Sequence, residues 1–147
     1  QSELTPLETI ARARRVKLTY KKPTDFPMCN LDETKIRQVV MSMAENAIYY
    51  TPANGTVTVT LTASKNDIRF EVKDTGIGVS KTDQKQIFQK FYRAQNARHI
   101  RPDGTGIGLF MAKRVIDAHS GKLIFASTEG KGSTFGFGFS RVKIEVV

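Results

Sequence analysis

Hydrophobic and polar positions follow two different periods along the chain, and the changes of period divide it into elements. Apolar residues recur at helical spacing in residues 4–15, 32–50 and about 107–120, and a further helix is predicted over residues 81–89. Every second residue is apolar in residues 16–20, 56–63, 67–73 and 133–140, and a further strand is predicted over residues 122–127. Turn-forming residues separate the segments, such as Asn54-Gly55 after the long helix. Asp32 is predicted to cap that helix at its N-terminus, and Gly121 to cap the last helix at its C-terminus.

The order of these elements indicates the fold class. Four of the predicted strands come in two hairpins, residues 56–73 and 122–140, and the helices fall between the hairpins rather than between all strands. This order favours an α+β fold, a two-layer α/β sandwich with a mixed, mainly antiparallel sheet of about five strands and three helices on one face. A doubly wound parallel sheet would need a helix between nearly all strands.

Composition places the chain among soluble globular proteins. It has 147 residues, of which 39% are hydrophobic and 25% charged, enough for one domain with its own core. No apolar run reaches membrane-spanning length and no stretch reads as a signal peptide. Cys29 is the only cysteine, which excludes an internal disulfide and a cysteine zinc site. We therefore expect a reducing, cytoplasmic setting, with any membrane anchor on the parent protein.

The balance of charge points to an anionic partner. The formal net charge is +9, and the basic residues concentrate in residues 11–22 and 81–101. Nucleic acid is the weakest candidate for that partner, because the basic residues lack interleaved aromatic residues and flank a candidate phosphate site.

The helix over residues 32–50 carries a narrow polar stripe on an otherwise broad apolar surface. The stripe consists of Gln38, Ser42, Glu45, Asn46 and Tyr49. It must face water or a ligand, because the rest of the helix is predicted to be buried. Asn46 lies at the edge of the stripe and can offer its amide oxygen to a hard cation such as Mg²⁺. One such residue does not by itself define a site.

Two glycine-rich turns add candidate chemistry. Asp74-Thr75-Gly76-Ile77-Gly78 follows a strand, where glycines allow a base to approach the backbone and a carboxylate can accept from the amino group of adenine. Gly104-Thr105-Gly106-Ile107-Gly108-Leu109 opens a helix, where free backbone N–H groups can bind phosphate. Neither turn matches the phosphate loop of GxxxxGK[ST] type or a GxGxxG fingerprint after a strand. Arg93 and Arg101 precede the second turn in a loop suited to close over a polyphosphate.

These motifs in this order resemble one family. Asn46, the Asp74–Gly78 turn, the stretch Ile87-Phe88-Gln89-Lys90-Phe91-Tyr92-Arg93 and the glycine-rich turn at 104–109 look like the catalytic ATP-binding domain of bacterial sensor histidine kinases. That domain belongs to the superfamily of gyrase, heat-shock chaperone, histidine kinase and mismatch-repair ATPases. The stretch from Glu129 to Phe135 resembles its closing glycine motif, and the likeness covers about residues 16–140.

The resemblance implies ATP and Mg²⁺ as ligands, held between the long helix and a lid. Asn46 would bind Mg²⁺, Asp74 would accept from adenine with support from Thr134 through water, and Tyr50 would pack on the base. Arg93 and Arg101 would meet the phosphates, and Phe88 and Phe91 would anchor the base of the lid. The further positions implied in nucleotide binding are Gly76, Ile77, Gly78, Gly104, Thr105, Gly106, Ile107, Gly108 and Leu109.

Two positions depart from the family pattern. Ser42 stands where the family often has a first asparagine, and Tyr49 where it commonly has a lysine facing phosphate. Slow turnover is therefore plausible, although Arg93 and Arg101 can supply cationic charge. In the gyrase-like branch the position of Ser42 carries a glutamate that activates water, and a serine cannot act as that base at neutral pH. Phosphoryl transfer to another group is therefore favoured over direct ATP hydrolysis.

The resemblance also implies a missing acceptor. His99, in the predicted lid, and His119, at a helix end, do not sit in the pattern of a phosphoacceptor histidine. We expect residues 1–15 to be the end of an upstream helical dimerisation domain that carries the acceptor, and residues 16–147 to be the catalytic domain. A response regulator is then an indirect partner, this fragment is expected to be monomeric, and the parent protein homodimeric.

Two other functions remain open on the sequence alone. A degenerate module would bind ATP but would never phosphorylate a supplied acceptor, with Ser42 and Tyr49 marking the lost catalysis. A serine kinase acting as an anti-sigma factor would share the fold and motifs, and would form an acid-stable phosphoserine rather than an acid-labile phosphohistidine.

Overall fold

The structure, a computed structural model, describes residues 4–21, 31–87, 89 and 108–140. Its elements follow the predicted order. They are α1 (Leu4–Ala13), β1 (Lys17–Lys21), α2 (Glu33–Tyr49), β2 (Thr56–Ala63), β3 (Asp67–Asp74), α3 (Lys81–Gln84), α4 (Gly108–Ala118), β4 (Lys122–Thr128) and β5 (Gly132–Ser140). Across these residues no helix combines the length and the apolar character that a bilayer crossing requires.

The strands form one mixed sheet of five strands in the order β1-β2-β3-β5-β4. β1 runs parallel to β2, so the chain crosses over between them through α2, and the other three pairings are antiparallel. The pairing of β3 with β5 joins the two predicted hairpins. These features confirm the predicted α+β fold with a mixed, mainly antiparallel sheet.

The core lies between the helices and one face of the sheet. Alternate residues of β3 and β5 are buried, and their rings pack together, as in the stacked pair Phe70 and Phe137 with centroids 5.1 Å apart. α2 contributes Met43, Ala44 and Ile48, which are fully buried. The broad apolar surface of this helix is therefore covered, as its sequence predicts.

The N-terminal end of α2 is fixed by its own cap and by the end of α4. The side chain of Asp32 accepts a hydrogen bond from the Lys35 N–H at 3.2 Å, which confirms the predicted N-cap. The Asp32 N–H in turn donates to Nε2 of His119 at 3.1 Å, while Nδ1 of His119 lies 2.8 Å from the Val115 carbonyl oxygen. His119 is thus a residue at the end of α4 that ties this helix to the start of α2.

α1 belongs to the same packed unit. Leu7 and Ala11 are 0% and 2% exposed, so this helix contributes to the core that α2 and the sheet share. Whether residues 1–15 also continue an upstream helical domain stays a prediction.

Two element ends differ from the expectations. α3 ends at Gln84 rather than near 89, because the following N–H of Gln86 bonds three residues back to Asp83 in a tighter turn. The left-handed residue after α4 is Ser120, with φ of 60°, and not Gly121. Gly121 is the next residue, where its N–H donates to the Ile116 carbonyl and its missing Cβ leaves room for the Phe139 ring.

Candidate functional site

α2 presents the predicted metal ligand near its C-terminal end. Asn46 and Ser42 lie one turn apart and are both half-buried. Within the described residues neither side chain engages its oxygen in a hydrogen bond. With respect to the described residues, both oxygens are therefore available to a ligand on the polar side of this helix.

Asp74 ends β3 as a buried carboxylate, 7% exposed. Its Oδ1 accepts hydrogen bonds from the backbone N–H of Gly76 at 2.8 Å and of Ser133 at 3.1 Å. Both of the hydrogen bonds that the described residues donate to this carboxylate go to Oδ1, and none goes to Oδ2. Asp74 is thus oriented by protein amides on one oxygen and can accept from a ligand on the other.

The electrostatics of Asp74 combine opposing effects. Burial raises the pKa of this carboxyl above its usual value, and the hydrogen bonds from Gly76 and Ser133 act in the other direction, with burial the larger effect. A buried carboxylate that is only partly compensated by two amides gains from a further donor. A ligand N–H at Oδ2 would provide one.

The turn after Asp74 is held against α2 and the β4–β5 turn. The Ile77 N–H donates to the Tyr50 carbonyl at 3.1 Å, and the Ile77 carbonyl accepts from the Gly130 N–H at 2.7 Å.

At Gly78, φ is +68° and an added Cβ would collide with the Thr128 carbonyl oxygen. An added Cβ at Gly76 would collide with the Tyr50 carbonyl oxygen. Glycine is required at both positions, which accounts for the motif in physical terms.

The structure places Ser133, and not Thr134, beside Asp74. In the register of β3 and β5, Asp74 pairs with Ser133 and Lys73 pairs with Thr134. Neighbouring residues of a strand point to opposite faces, so the side chain of Thr134 lies on the face of the sheet away from Asp74. This corrects the expectation for Thr134. The sequence contains the information needed to choose Ser133. In the alternation of this strand, Ser133 is on the same face as Phe135, Phe137 and Phe139, and Thr134 is on the other.

A second residue that sequence reasoning missed is Ser127 on β4. Its Oγ lies 2.7 Å from Ser133 Oγ and accepts a hydrogen bond from the Val79 N–H at 2.7 Å. Nε2 of Gln84 donates to the carbonyls of Val79 and Ser127, at 2.8 and 3.1 Å. These contacts fix α3 and the segment before it against β4, the strand that pairs with β5 beside Ser133.

The remaining predicted positions divide into two groups. Tyr50 is half-buried directly after α2, Leu109 packs against the core, and Gly108 begins α4. The others lie outside the described residues: Phe88, Phe91, Arg93, His99, Arg101, Gly104, Thr105, Gly106 and Ile107.

The oxygen atoms that the protein offers agree with a magnesium ion that is held mainly by the phosphates of a bound nucleotide. In the described part of the chain no three His, Cys, Asp or Glu residues converge as a metal cluster. Asn46 offers one amide oxygen, with the Ser42 hydroxyl a turn away. Mg²⁺ retains waters and is commonly bound by nucleotide phosphates with few protein ligands, so a single amide oxygen fits it.

Comparison with known proteins gives consistent relatives. The profile described as Histidine kinase-, DNA gyrase B-, and HSP90-like ATPase matches residues 31–143. An adaptive-response sensory kinase SasA from Synechococcus sp. (strain JA-2-3B'a(2-13)) is 36% identical over 127 residues, which are 86% of this chain and 33% of that protein. The sensor histidine kinase WalK of Bacillus subtilis (strain 168) is 39% identical over 109 residues, 73% of this chain and 18% of that protein. The chain therefore spans a third or less of the length of these curated relatives.

Solved structures share the fold. The nucleotide-free catalytic domain of histidine kinase ThkA matches with a TM-score of 0.80 at 24% identity, covering 95% of this chain and 89% of that one. Full-length ShkA, in complex with AMPPNP, matches with a TM-score of 0.73 at 26% identity, covering 100% of this chain and 31% of that one.

Proposed function

Because this chain belongs to the family of histidine kinase-, DNA gyrase B- and HSP90-like ATPases, we propose that it is the ATP-binding catalytic domain of a sensor histidine kinase. In the reaction that we propose, a nitrogen of a histidine outside this chain attacks the γ-phosphorus of ATP. The bond from that phosphorus to the β-phosphate oxygen breaks, ADP leaves, and the imidazole loses its proton. The result is a phosphohistidine.

The observation that carries the proposal is the half-satisfied carboxylate of Asp74. Its Oδ1 is held by the amides of Gly76 and Ser133, and its Oδ2 receives no hydrogen bond within the described residues. Adenine carries an exocyclic amino group that can donate to Oδ2. Guanine carries a carbonyl oxygen at the same position, which a carboxylate repels. The site is therefore expected to select adenine.

Asn46 is the residue proposed to hold Mg²⁺, through its amide oxygen. When bound, the ion would neutralise negative charge on the phosphates during transfer. α2 keeps this side chain in place because its buried neighbours, Ala47 and Met43, fix the rotation of the helix. Arg93 and Arg101 are proposed to contribute further positive charge to the phosphates, and Ser42 provides no base for attack by water.

The first experiment measures binding of ATP and of GTP to this chain by calorimetry, with and without Mg²⁺. We expect ATP to bind, Mg²⁺ to strengthen its binding, and GTP to bind far more weakly. In Asn46→Ala the strengthening by Mg²⁺ should disappear, whereas Gln38→Ala, an exposed residue of the same polar stripe, should behave as wild type. Failure of the wild-type chain to bind ATP would refute the proposed function.

The second experiment tests the acceptor. The chain is incubated with radiolabelled ATP and the dimerisation domain of its parent protein, and the labelled product is treated with acid. We expect label on that domain in an acid-labile form, as phosphohistidine. Acid-stable label would indicate a hydroxyl acceptor, and ATP binding without any transfer would indicate a module that has lost catalysis.

The wider setting is part of the proposal and is supported by the names of the relatives, which are sensor kinases. The parent protein is proposed to be a homodimer through an upstream phosphoacceptor domain, to pass the phosphoryl group on to a response regulator, and to keep this domain in the cytoplasm. This fragment alone is proposed to be monomeric.

A further inference from the structure

Two adjacent carbonyl groups at the end of α2 are bound by two different parts of the chain. The Tyr49 carbonyl accepts a hydrogen bond from Nη2 of Arg14 at 2.9 Å. The next carbonyl, that of Tyr50, accepts from the Ile77 N–H at 3.1 Å. The last peptide units of α2 thus connect the end of α1 to the turn that follows Asp74.

Arg14 is held by Tyr49 rather than by an acid. Its guanidinium carbon lies 4.9 Å from the centroid of the Tyr49 ring, in cation–π contact. Its Nε is buried without a hydrogen-bond partner. In the part of the chain that the structure describes, no carboxylate forms an ion pair with it. Among the described residues, the position of this guanidinium is therefore set by the ring and the carbonyl of Tyr49.

The segment after Arg14 strengthens the same connection. The Arg15 carbonyl accepts from the Asn54 N–H at 2.8 Å, and the Lys17 N–H donates to the Gly55 carbonyl at 3.0 Å. Arg15 itself has φ of 59°, which turns the chain directly from α1 into β1. The end of α1 and the loop after α2 are thereby joined at several points.

A shift of the end of α2 would reach Asp74 through Gly76. The Tyr50 carbonyl oxygen occupies the space that a Cβ of Gly76 would need, so the turn and the helix end are in close contact. The Gly76 N–H is one of the two amides that hold Asp74 Oδ1. The orientation of the carboxylate therefore depends on where α2 ends.

We propose that Arg14 is a positioning residue for nucleotide recognition. Through Tyr49 it fixes the C-terminal end of α2, and through Tyr50 and Ile77 this fixes the turn that orients Asp74. The inference rests on the proposed nucleotide site, but its geometric part concerns the nucleotide-free protein and can be tested without nucleotide.

The direct test is amide hydrogen exchange of Ile77 in the nucleotide-free chain, compared with the core amide of Val59 as a measure of global unfolding. In Arg14→Ala, Ile77 should exchange about tenfold faster relative to Val59, a change of about 1.4 kcal/mol in the opening equilibrium. Arg12→Ala, an exposed arginine two residues earlier on α1, should leave both amides unchanged. A lower melting temperature without any change in this ratio would show that Arg14 is only structural, and would overturn the proposal.

The second test measures ATP affinity by calorimetry in the same variants. Arg14→Ala removes both the ring contact and the hydrogen bond to the Tyr49 carbonyl, and should weaken ATP binding about tenfold. Tyr49→Leu keeps the backbone carbonyl and removes only the ring contact, so it should weaken binding by a smaller factor, and the double variant should be no weaker than Arg14→Ala. Tyr49→Phe keeps the ring and the carbonyl and should weaken binding far less than Tyr49→Leu. If Arg14→Ala does not fold, Tyr49→Leu decides the matter. Unchanged affinity in both would overturn the proposal, whereas a wild-type chain that binds no ATP refutes the proposed function and leaves the exchange test valid.

Discussion

The burial of Asp74 affects recognition and stability in opposite directions. The carboxylate loses water on folding and regains hydrogen bonds from only two amides on Oδ1. A residue chosen for stability alone would not be charged at this position. The loss of folding stability is consistent with a side chain retained for a ligand.

Replacing Asp74 by asparagine should reveal the loss of stability caused by the buried charge, as a difference in melting temperature between variant and wild type that depends on pH. The amide side chain would keep an Oδ1 acceptor for Gly76 and Ser133 but carry no charge. Because burial raises the pKa of Asp74 in the folded state, the cost is absent below the unfolded-state pKa and develops as the pH rises through the folded-state pKa. We expect the melting temperature of Asp74→Asn to rise relative to wild type as the pH is increased from about 4, the ordinary pKa of an aspartate. If the melting temperature of the wild type rose relative to that of Asp74→Asn as the pH increased, this expectation would be contradicted.

Gly78 and Gly130 offer a matched test of the turn. Both have positive φ, +68° and +82°, but an added Cβ collides with Thr128 at Gly78 and meets nothing within 4 Å at Gly130. Gly130→Ala should cost about 1 kcal/mol, the penalty of the left-handed conformation. Gly78→Ala should cost about 1–3 kcal/mol more through the collision. Urea denaturation measures both free energies, and equal losses would show that the contact with Thr128 is easily relaxed.

The sequence could point to individual site residues only where their identification did not depend on the pairing of strands or on contacts between distant segments. Asp74 and Asn46 are singled out by residue type and by position on an element, and their roles in binding stay predictions. Ser133 follows only when its parity with the buried phenylalanines is compared with that of Thr134, and Ser127 only when the β4–β5 register is known. Arg14 has no sequence signal, because its partner Tyr49 lies 35 positions away.

Among the elements, α1 is the one whose packing partners the sequence predicts least, whereas the structure shows them clearly. Its apolar spacing is typical of a helix, and no residue type shows which core it joins. The full burial of Leu7 shows that it packs with α2 and the sheet.

Truncation of Leu7 therefore tests whether α1 is needed for the stability of this unit. Leu7→Ala should lower the free energy of unfolding by about 2–5 kcal/mol, the range for deleting a fully buried leucine side chain. Glu8→Ala, exposed on the same helix, should change it little. Denaturation of the two variants by urea provides the comparison, and a loss below about 1 kcal/mol for Leu7→Ala would mean that α1 detaches readily.

For the whole molecule, ATP binding should appear as thermal stabilisation. A ligand that binds only the folded state at about one hundred times its dissociation constant adds about 2.7 kcal/mol. We expect ATP with Mg²⁺ to raise the melting temperature of the wild-type chain, and GTP at the same concentration to raise it much less. Asp74→Asn should lose most of the shift with ATP. An equal shift with both nucleotides would point to phosphate binding without base selection.

The order of elements was predictable because hydrophobic periodicity records which face of each element is buried. Sheet order was not, since the pairing of β3 with β5 depends on contacts between segments that lie far apart in sequence. The ends of α3 and α4 differ from the expectations for a local reason, because single hydrogen bonds near Gln86 and Ser120 decide them.

The hydrogen bond between the Ser133 amide and Asp74 spans 59 positions of the chain. During synthesis, Asp74 leaves the ribosome well before β5, and until β5 pairs with β3 the carboxylate has at most the Gly76 amide to hold it. Contacts between distant segments also form slowly, because the intervening chain must first be ordered. The chain should therefore become able to bind nucleotide only late in synthesis, when β5 has paired with β3. A partly synthesised chain should neither consume cellular ATP nor be stabilised by it.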